Sequence, residues 1–313
     1  MDGVVHEDIG PNPATTELDR GAARLRDFGP AVVVALGGGS ALDAAKGIAL
    51  LAGNPGAVAA DAGTLWDGLD GHPVVAVPTT SGTGAETNGF GVVEDVAARR
   101  KVYIGHSSVV PRIAVLDPEL TLGLPAAITA ATGLDALVHG IESLASRGAD
   151  AVSAADATRA VALVGEWLPV VFRDGANLDA RGHMMLGAHL AGRALTRSGL
   201  GLVHGLGHAV TARTATPHGV ALAAVLEEVM TFSAEAAACP YAQVAEALRA
   251  PSAVDAVRAI SDGLGIKRPL RDLGLTREDL PAIARAALAD AVTKNAPRTP
   301  SPAEAEEILV SVY

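Results

Sequence analysis

The chain has 313 residues, of which 35 are glycine and only 3% are aromatic, and its net charge is −11. This length allows a sizeable core spread over two domains. The acidic balance, with no basic stripe, argues against nucleic acid as a partner. No apolar run reaches the roughly 18–20 residues that a membrane span needs. The lone Cys239 excludes an internal disulfide and predicts a reducing, cytoplasmic location.

Residues 1–121 are predicted to form an α/β nucleotide-binding domain. Continuous apolar runs predict parallel strands at 31–36, 74–77 and 113–116. Because the first run is rich in β-branched residues, we expect that strand to be buried on both faces of the sheet. A helix is predicted over 41–51, ending at Gly53-Asn54-Pro55.

Residues 122–313 are predicted to form an all-helical domain. From Leu124-Pro125 onward the β-signals fade and alanine-rich amphipathic stretches take over. Helices are predicted over about 126–146, 151–170, 178–195, 202–213 and 219–233, with further helices within 240–311. A parallel-sheet domain followed by a helical domain is the resulting fold prediction.

Two glycine-rich loops follow predicted strands. Gly37-Gly38-Gly39-Ser40 leads into a helix, whose free N–H groups and partial positive charge suit a phosphate. The loop departs from the common dinucleotide fingerprint, because the third glycine would fall on Leu42, and a simple tight turn is the alternative. A second loop, Thr79–Gly84, follows the next strand. Together the loops predict a ligand crevice at the carboxyl edge of the sheet.

Histidines and one aspartate occur at helical spacing in the second domain. Asp135 and His139 are four residues apart, as are His204 and His208, and His218 follows in a turn. A carboxylate with several imidazoles predicts a divalent metal site for Fe(II) or Zn(II). Each histidine alone could instead be a satisfied core residue, and spacing does not decide whether His204 or His208 is a ligand.

Six ordered stretches resemble the group III, or iron-containing, alcohol dehydrogenase family. The resemblance runs from about Pro11 to the closing Asn295-Ala296-Pro297-Arg298. It implies a dehydroquinate-synthase-like architecture, with the active site in the cleft between an α/β nucleotide domain and a helical metal domain. The stretches are GGGSALDAAK (37–46), PTTSGTGAE (78–86), DPELTLGLP (117–125), ATGLDALVHGIES (131–143), GLGLVHGLGH (199–208) and TPHGVALA (216–223).

The resemblance assigns roles to individual residues. The implied metal ligands are Asp135, His139, His204 and His218, with His208 lining the site as a proton relay. The implied cofactor is NAD(H) or NADP(H), the implied metal is Fe(II) ahead of Zn(II), and a homodimer is expected. Residues implied to hold the cofactor are Gly38, Gly39, Ser40 and Asp43 at the pyrophosphate, Thr79, Thr80 and Thr83 at the phosphate–nicotinamide end, and Lys101 at the nucleotide.

The chain departs from the family pattern at two places. Family members usually carry a strand–helix–strand segment before the stretch that matches Pro11-Asn12-Pro13, and the sequence here has only ten residues before Pro11. We therefore expect weak cofactor binding and poor discrimination between NAD(H) and NADP(H). Between His208 and His218, where aromatic residues are common, this chain has small residues and Arg213. That substitution suggests a polar or anionic substrate, although Arg213 facing solvent is the simpler interpretation.

The favoured interpretation is a metal-dependent NAD(P)-linked alcohol dehydrogenase or aldehyde reductase acting on a small substrate. In that chemistry the metal acts as a Lewis acid and the cofactor carries the hydride. A dehydroquinate-synthase-like lyase is one alternative, disfavoured because the metal motifs come with few lysines. A truncated relative that binds metal without catalysis is the other.

Overall fold

The computed structural model describes residues 3–96, 100–214 and 216–313. The chain divides into two compact units. One unit contains the chain up to Thr80 together with Gly84–Leu120. The other contains Ser81–Thr83 together with Thr121–Tyr313. A short piece of the second glycine-rich loop therefore belongs to the helical unit.

The first unit is α/β. Its three-stranded parallel sheet has the order β1-β2-β5, and a separate antiparallel hairpin pairs β3 with β4. Register in the parallel sheet aligns Val34 with Val75, and Val75 with Ile113. The elements are α1 (Thr15–Phe28), β1 (Val33–Gly37), α2 (Gly39–Gly53), β2 (Val74–Pro78), β3 (Phe90–Asp95), β4 (Arg100–Gly105) and β5 (Ile113–Ala114), with short 3-10 turns between them.

The expected burial of β1 on both faces is wrong. Ala35 is only 4% exposed, whereas Val34 and Leu36 on the opposite face are 63% and 62% exposed. Ile113, aligned in the same row as Val34, is also exposed. β1 is an edge strand whose inner face packs in the core of its own unit. An apolar run identifies a strand but does not report how many of its faces are covered.

Helix α1 and the β3–β4 hairpin were not among the predicted elements. Helix α1 begins after Ala14, whose N–H donates to the Glu17 carboxylate at 2.8 Å. Its amphipathic pattern is interrupted by Gly21, where a Cβ would lie 2.4 Å from the Ile48 side chain of α2. The glycine thus permits close packing of α1 on α2 while weakening the local helical signal.

The second unit is helical. Its core is built around α3, whose residues from Thr129 to Ala145 are almost all buried. Within the described ranges, no helix is both long enough and apolar enough to cross a membrane. The helices are α3 (Ala126–Ala145), α4 (Ala151–Arg173), α5 (Leu178–Ser198), α6 (Leu202–Thr211), α7 (His218–Ser233), α8 (Ala238–Ala247), α9 (Ala253–Leu264), α10 (Leu280–Ala289) and α11 (Pro302–Ser311).

Glycines bring the helices that carry the histidines close to their neighbours. At Gly219, the second residue of α7, a Cβ would lie 2.0 Å from the carbonyl oxygen of Ala131 on α3. At Gly205 on α6, a Cβ would lie 2.0 Å from Thr293 Oγ1 and 3.1 Å from the carbonyl oxygen of Ala287 on α10. Backbone atoms cannot move aside as a flexible side chain can, so Gly219 admits only glycine. The start of α7 therefore rests directly against α3.

Candidate metal centre and nucleotide loop

Helix α3 places a carboxylate beside an imidazole. Asp135 and His139 are both buried, and one helical turn brings His139 Nε2 to 3.3 Å from Asp135 Oδ1. This is the i,i+4 arrangement that the sequence predicts. Leu134, Leu137 and Val138 on the same helix pack in the core around this polar pair.

Two more imidazoles converge on the same carboxylate oxygen. His204 Nε2, from α6, lies 3.4 Å from Asp135 Oδ1, and His218 Nε2, from the first residue of α7, lies 3.8 Å from it. The ligand atoms of Asp135, His204 and His218 lie within 4.8 Å of one another. The rings of His139 and His204 stack with their centroids 4.7 Å apart. The structure thus brings together all four residues that the family resemblance implies as ligands.

The donor set fits a divalent ion. Asp135 Oδ1 and His204 Nε2 are buried and make no hydrogen bond within the described part of the chain. Leaving buried polar atoms unpaired costs free energy, and such atoms in a native protein call for an explanation. One carboxylate and three imidazoles satisfy the preferences of Fe(II) and Zn(II). A bound ion would give both orphaned atoms a partner.

The charges in the cluster are strongly coupled. Burial lowers the pKa of His139 to about 4 in spite of the nearby Asp135 carboxylate. Burial also opposes protonation of His204, but the carboxylates of Asp135 and Glu142 outweigh it and raise the pKa of His204 to about 9. Burial favours the neutral form of Asp135, yet the surrounding imidazoles hold its pKa below the usual value. The protein without metal therefore keeps one carboxylate and one imidazolium close together.

Two carboxylates beside the cluster were missed in the sequence. Glu142 Oε2 lies 2.6 Å from His204 Nδ1, and Asp290 Oδ2 lies 2.8 Å from His208 Nδ1. Glu142 follows Asp135 by seven residues on one helix, and this two-turn spacing was a usable signal. Asp290 is 82 residues from His208 and carries no such signal. The His208 ring stacks on His218 with centroids 5.3 Å apart, so it borders the cluster.

The first glycine-rich loop has the form of a phosphate cradle. Helix α2 starts at Gly39, and its N-cap residue Gly38, between β1 and the helix, provides no side-chain cap. At Gly38 a Cβ would lie 3.2 Å from Thr80 Cγ2, and the N–H of Thr79 donates to the Gly37 carbonyl at 2.9 Å. Gly37 and Gly38 of the first loop therefore meet Thr79 and Thr80 of the second at the carboxyl ends of β1 and β2. Uncapped N–H groups at a helix start suit an anion.

Lys101 is connected to the cradle through Asn12. Its Nζ donates to Asn12 Oδ1 at 2.9 Å, and the Asn12 N–H donates to Ser40 Oγ at 3.2 Å. Asn12 has a φ of +53°, a left-handed conformation that asparagine tolerates better than most residues. Burial lowers the pKa of Lys101, with Glu94 and Asp43 opposing that effect. Residues 61 positions apart in sequence, Ser40 and Lys101, are thus joined by one residue, through the backbone and the side chain of Asn12.

Asp43 and Lys46 have internal partners. Asp43 Oδ1 lies 3.0 Å from Lys46 Nζ, and Asp43 Oδ2 accepts from the Val92 N–H at 3.0 Å. Lys46 is 1% exposed and donates to the Ala85 carbonyl and to Asn88 Oδ1. These contacts favour a structural role for the pair. A charged residue one turn into a helix could have faced solvent, but Lys46 is buried. The contact of Asp43 with a cofactor stays a prediction.

Two further predicted positions are Thr83 and Arg213. Thr83 belongs to the helical unit, whereas Thr79 and Thr80 belong to the α/β unit. Arg213 is exposed and pairs with Asp279, with Nη1 3.3 Å from Oδ1. Because this aspartate neutralises its charge, Arg213 offers no support for recognition of an anionic substrate.

Two family models together match most of the chain. Residues 1–118 match the family described as iron-containing alcohol dehydrogenase, and residues 129–313 match the C-terminal part of the Fe-containing alcohol dehydrogenase family. The chain is similar to the probable alcohol dehydrogenase EutG of Escherichia coli K12, with 38% identity over 92% of this chain and 74% of that protein. It is 35% identical to the lactaldehyde reductase of the same strain, over 94% of this chain and 80% of the relative.

A third relative and one crystal structure extend the comparison. The NAD-dependent methanol dehydrogenase of Bacillus methanolicus is 32% identical over 99% of this chain and 84% of its own length. The crystal structure of a 1,3-propanediol oxidoreductase superposes with a TM-score of 0.93 and 32% identity, over 99% of this chain and 84% of that one. The chain belongs to the iron-containing alcohol dehydrogenase family and is an oxidoreductase that interconverts alcohols and aldehydes.

Proposed function

We propose that Asp135, His139, His204 and His218 hold one divalent ion, Fe(II) in preference to Zn(II), at the site where this enzyme binds the oxygen of a small alcohol or aldehyde. The observation that carries the proposal is the convergence of three imidazoles within 3.8 Å of Asp135 Oδ1, a buried oxygen with no hydrogen-bond partner in the described chain. When bound, the ion supplies Lewis-acid polarisation and the nicotinamide carries the hydride.

The cofactor we propose is NAD(H), with NADP(H) as the alternative. The name of the Bacillus methanolicus relative supports NAD. The uncapped start of α2 supports placement of the pyrophosphate at Gly38, Gly39 and Ser40. Thr79 and Thr80 border this cradle, and Lys101 approaches it through Asn12. Thr83 and Asp43 complete the predicted set.

His208 is the proposed proton relay. Because a carboxylate oxygen can only accept, the 2.8 Å contact with Asp290 places a proton on Nδ1 of His208. Exchange of a proton with substrate then has to use Nε2. Imidazole suits this role because its ordinary pKa lies near neutral pH. Asp290 also accepts from the Val292 N–H at 3.1 Å, which fixes the carboxylate in place.

The substrate we propose is a small, uncharged alcohol or aldehyde, and the oligomer a homodimer. The names of the relatives support the substrate class, since they include lactaldehyde and methanol. A cytoplasmic location is supported by the exposed, unbridged thiol of Cys239.

Metal analysis of His218→Ala tests the proposed site. The unmodified chain should carry about one divalent ion per chain. Loss of one imidazole from a mononuclear site should reduce that content severely, while far-ultraviolet circular dichroism stays unchanged. His183→Ala, which removes an imidazole stacked on Trp167 elsewhere in the helical unit, is the matched control. An unchanged metal content in His218→Ala would contradict the assignment.

A further inference from the structure

Glu142 joins the start of α6 to one of the proposed ligands. It lies on α3, is 7% exposed, and has Oε1 2.7 Å from the Val203 N–H. Its Oε2 lies 3.3 Å from the His204 N–H and 2.6 Å from His204 Nδ1. Three donors therefore converge on one buried carboxylate.

The same carboxylate caps α6 from another helix. Gly201, at the N-cap position of α6, has no side chain to do so, and Val203 and His204 carry N–H groups of the first turn. A Cβ at Gly201 would lie 2.8 Å from Glu142 Oε1, so a larger residue there would displace the carboxylate. The positive end of the helix dipole further stabilises a negative charge at this position.

These contacts determine which nitrogen of His204 faces the metal ligands. A carboxylate oxygen accepts hydrogen bonds and has none to donate, so His204 Nδ1 must carry the proton that it shares with Glu142. Nε2, the other ring nitrogen, is then the one that can offer a lone pair to a metal ion, and it lies 3.4 Å from Asp135 Oδ1. The capping contacts to Val203 and His204 hold the backbone beneath that ring. Orientation of the ligand and capping of its helix are thus combined in one residue.

We propose that Glu142 is a positioning residue for the metal centre, which orients His204 by holding Nδ1 and the start of α6 together. The inference rests on the proposed metal site. Carboxylates that accept from the second nitrogen of a ligating histidine typically contribute 10- to 100-fold in metal affinity. We therefore expect the affinity for Zn(II) to depend on Glu142 although it does not contact the ion.

Replacement of Glu142 by glutamine creates a hydrogen-bonding conflict with little change in shape. If the amide oxygen accepts from Val203 N–H, the NH₂ group faces the N–H and Nδ1 of His204. The opposite rotamer places NH₂ against the Val203 N–H. In the first arrangement Nδ1 becomes an acceptor and the proton moves to Nε2, where it blocks coordination. Neither arrangement preserves all three contacts.

The test measures Zn(II) affinity of the metal-free chain by competition with a chromophoric chelator. Glu142→Gln should bind Zn(II) about 10- to 100-fold more weakly than the unmodified chain. Asp150→Asn is the matched control, because Asp150 is also a capping carboxylate in the helical unit, accepting from Val152 and Ser153. The Zn(II) affinity of Asp150→Asn should stay within about twofold of that of the unmodified chain. A helix cap that does not contact a proposed ligand should affect folding stability alone.

A spectroscopic measurement separates orientation from general destabilisation. In the zinc-loaded protein, the Nδ1 proton that His204 shares with Glu142 should give a downfield imidazole resonance, absent from Glu142→Gln. If Glu142→Gln does not fold, Gly201→Ala is used in its place. The alanine methyl group would displace the Glu142 carboxylate, while Glu142 keeps its negative charge. Gly201→Ala should likewise weaken Zn(II) binding.

The outcomes distinguish this inference from the proposal on which it rests. Unchanged Zn(II) affinity in Glu142→Gln, or in Gly201→Ala if that variant is needed, overturns the positioning role and leaves the metal site standing. An unmodified chain that binds no Zn(II), or a His218→Ala variant that binds it normally, rejects the metal site and the inference together.

Discussion

His208, the proposed relay, and His204, a proposed ligand, have different surroundings. The ring of His208 lies beside the proposed ligands, stacked on His218, and its Nδ1 contacts Asp290. Helical spacing in the sequence treats His204 and His208 alike. In the structure, Nε2 of His204 lies 3.4 Å from Asp135 Oδ1, which supports His204 as the ligand of the two. The carboxylate partners, Glu142 for one ring and Asp290 for the other, give the two histidines different surroundings.

Replacement of His208 by alanine should slow turnover while leaving the metal in place. Loss of a general acid or base typically costs about 10²- to 10⁴-fold in rate, so we expect kcat to fall by at least about 10²-fold. Steady-state kinetics with parallel metal analysis is the measurement, with His183→Ala again as the control. Should His208→Ala lose the metal while His204→Ala retains it, the roles assigned to the two histidines are reversed.

At the scale of elements, the turn from β1 into α2 is where we propose that the dinucleotide binds. The strand ends at Gly37 and the helix starts at Gly39, so the chain passes from strand to helix within three glycines. Gly37 has a φ of +150°, and a Cβ there would lie 2.7 Å from the Ala41 side chain. The turn thus requires glycine for its own conformation, independently of any ligand.

A valine at Gly39 should weaken binding of NADH without affecting the metal. The side chain would stand in front of the uncapped N–H groups of α2 and keep the pyrophosphate at a distance. We expect the dissociation constant to rise by at least about tenfold, since each lost charge-assisted hydrogen bond costs about 1.5–3 kcal/mol. Fluorescence titration of NADH measures it.

Gly63→Val provides the matched control in the same unit, because a Cβ at Gly63 meets open space. Equal affinity for NADH in Gly39→Val and Gly63→Val would contradict the cradle.

Helices that carry the proposed metal ligands could be predicted well, whereas contacts between residues far apart in sequence could not. The predicted starts at 126, 151, 178 and 202 coincide with those of α3, α4, α5 and α6. Their alanine-rich stripes are local signals, and so is the spacing of Asp135 and His139. The β3–β4 hairpin was missed although its strands are neighbours in sequence, with Val93 paired to Val102. The contact of Asp290 with His208 joins residues 82 positions apart, and nothing in the local sequence indicates it.

At the scale of the whole molecule, one sheet face distinguishes this chain from a fully enclosed α/β unit. Val34, Leu36 and Ile113 are 63%, 62% and 57% exposed and lie on the same face of the parallel sheet. Contiguous exposed apolar surface marks sites of association or aggregation. Among the described residues, β1 is also the edge strand of its sheet, and sheet edges can pair with other chains.

The chain should therefore self-associate through this face in a concentration-dependent manner. The double variant Val34→Thr/Leu36→Thr removes apolar surface while placing β-branched residues, which favour strands, at both positions. It should shift sedimentation-velocity profiles toward monomer. Val152→Thr, which changes an exposed valine on α4, is the control. A monomer at every concentration, or a double variant that associates as the unmodified chain does, would contradict this prediction.

Family membership and the two-part fold were predicted correctly from ordered sequence motifs. We propose that the Asp135-His139-His204-His218 cluster holds the ion on which alcohol–aldehyde conversion depends. The most direct measurement follows oxidation of NADH and formation of alcohol from a short aldehyde such as propanal, before and after removal of metal by a chelator. Aldehyde reduction should be lost with the metal and should return when Fe(II) is added to the unmodified chain. It should not return in His218→Ala. Undiminished reduction by the metal-free chain would contradict it, as would a metal-loaded chain that binds NADH yet reduces no aldehyde.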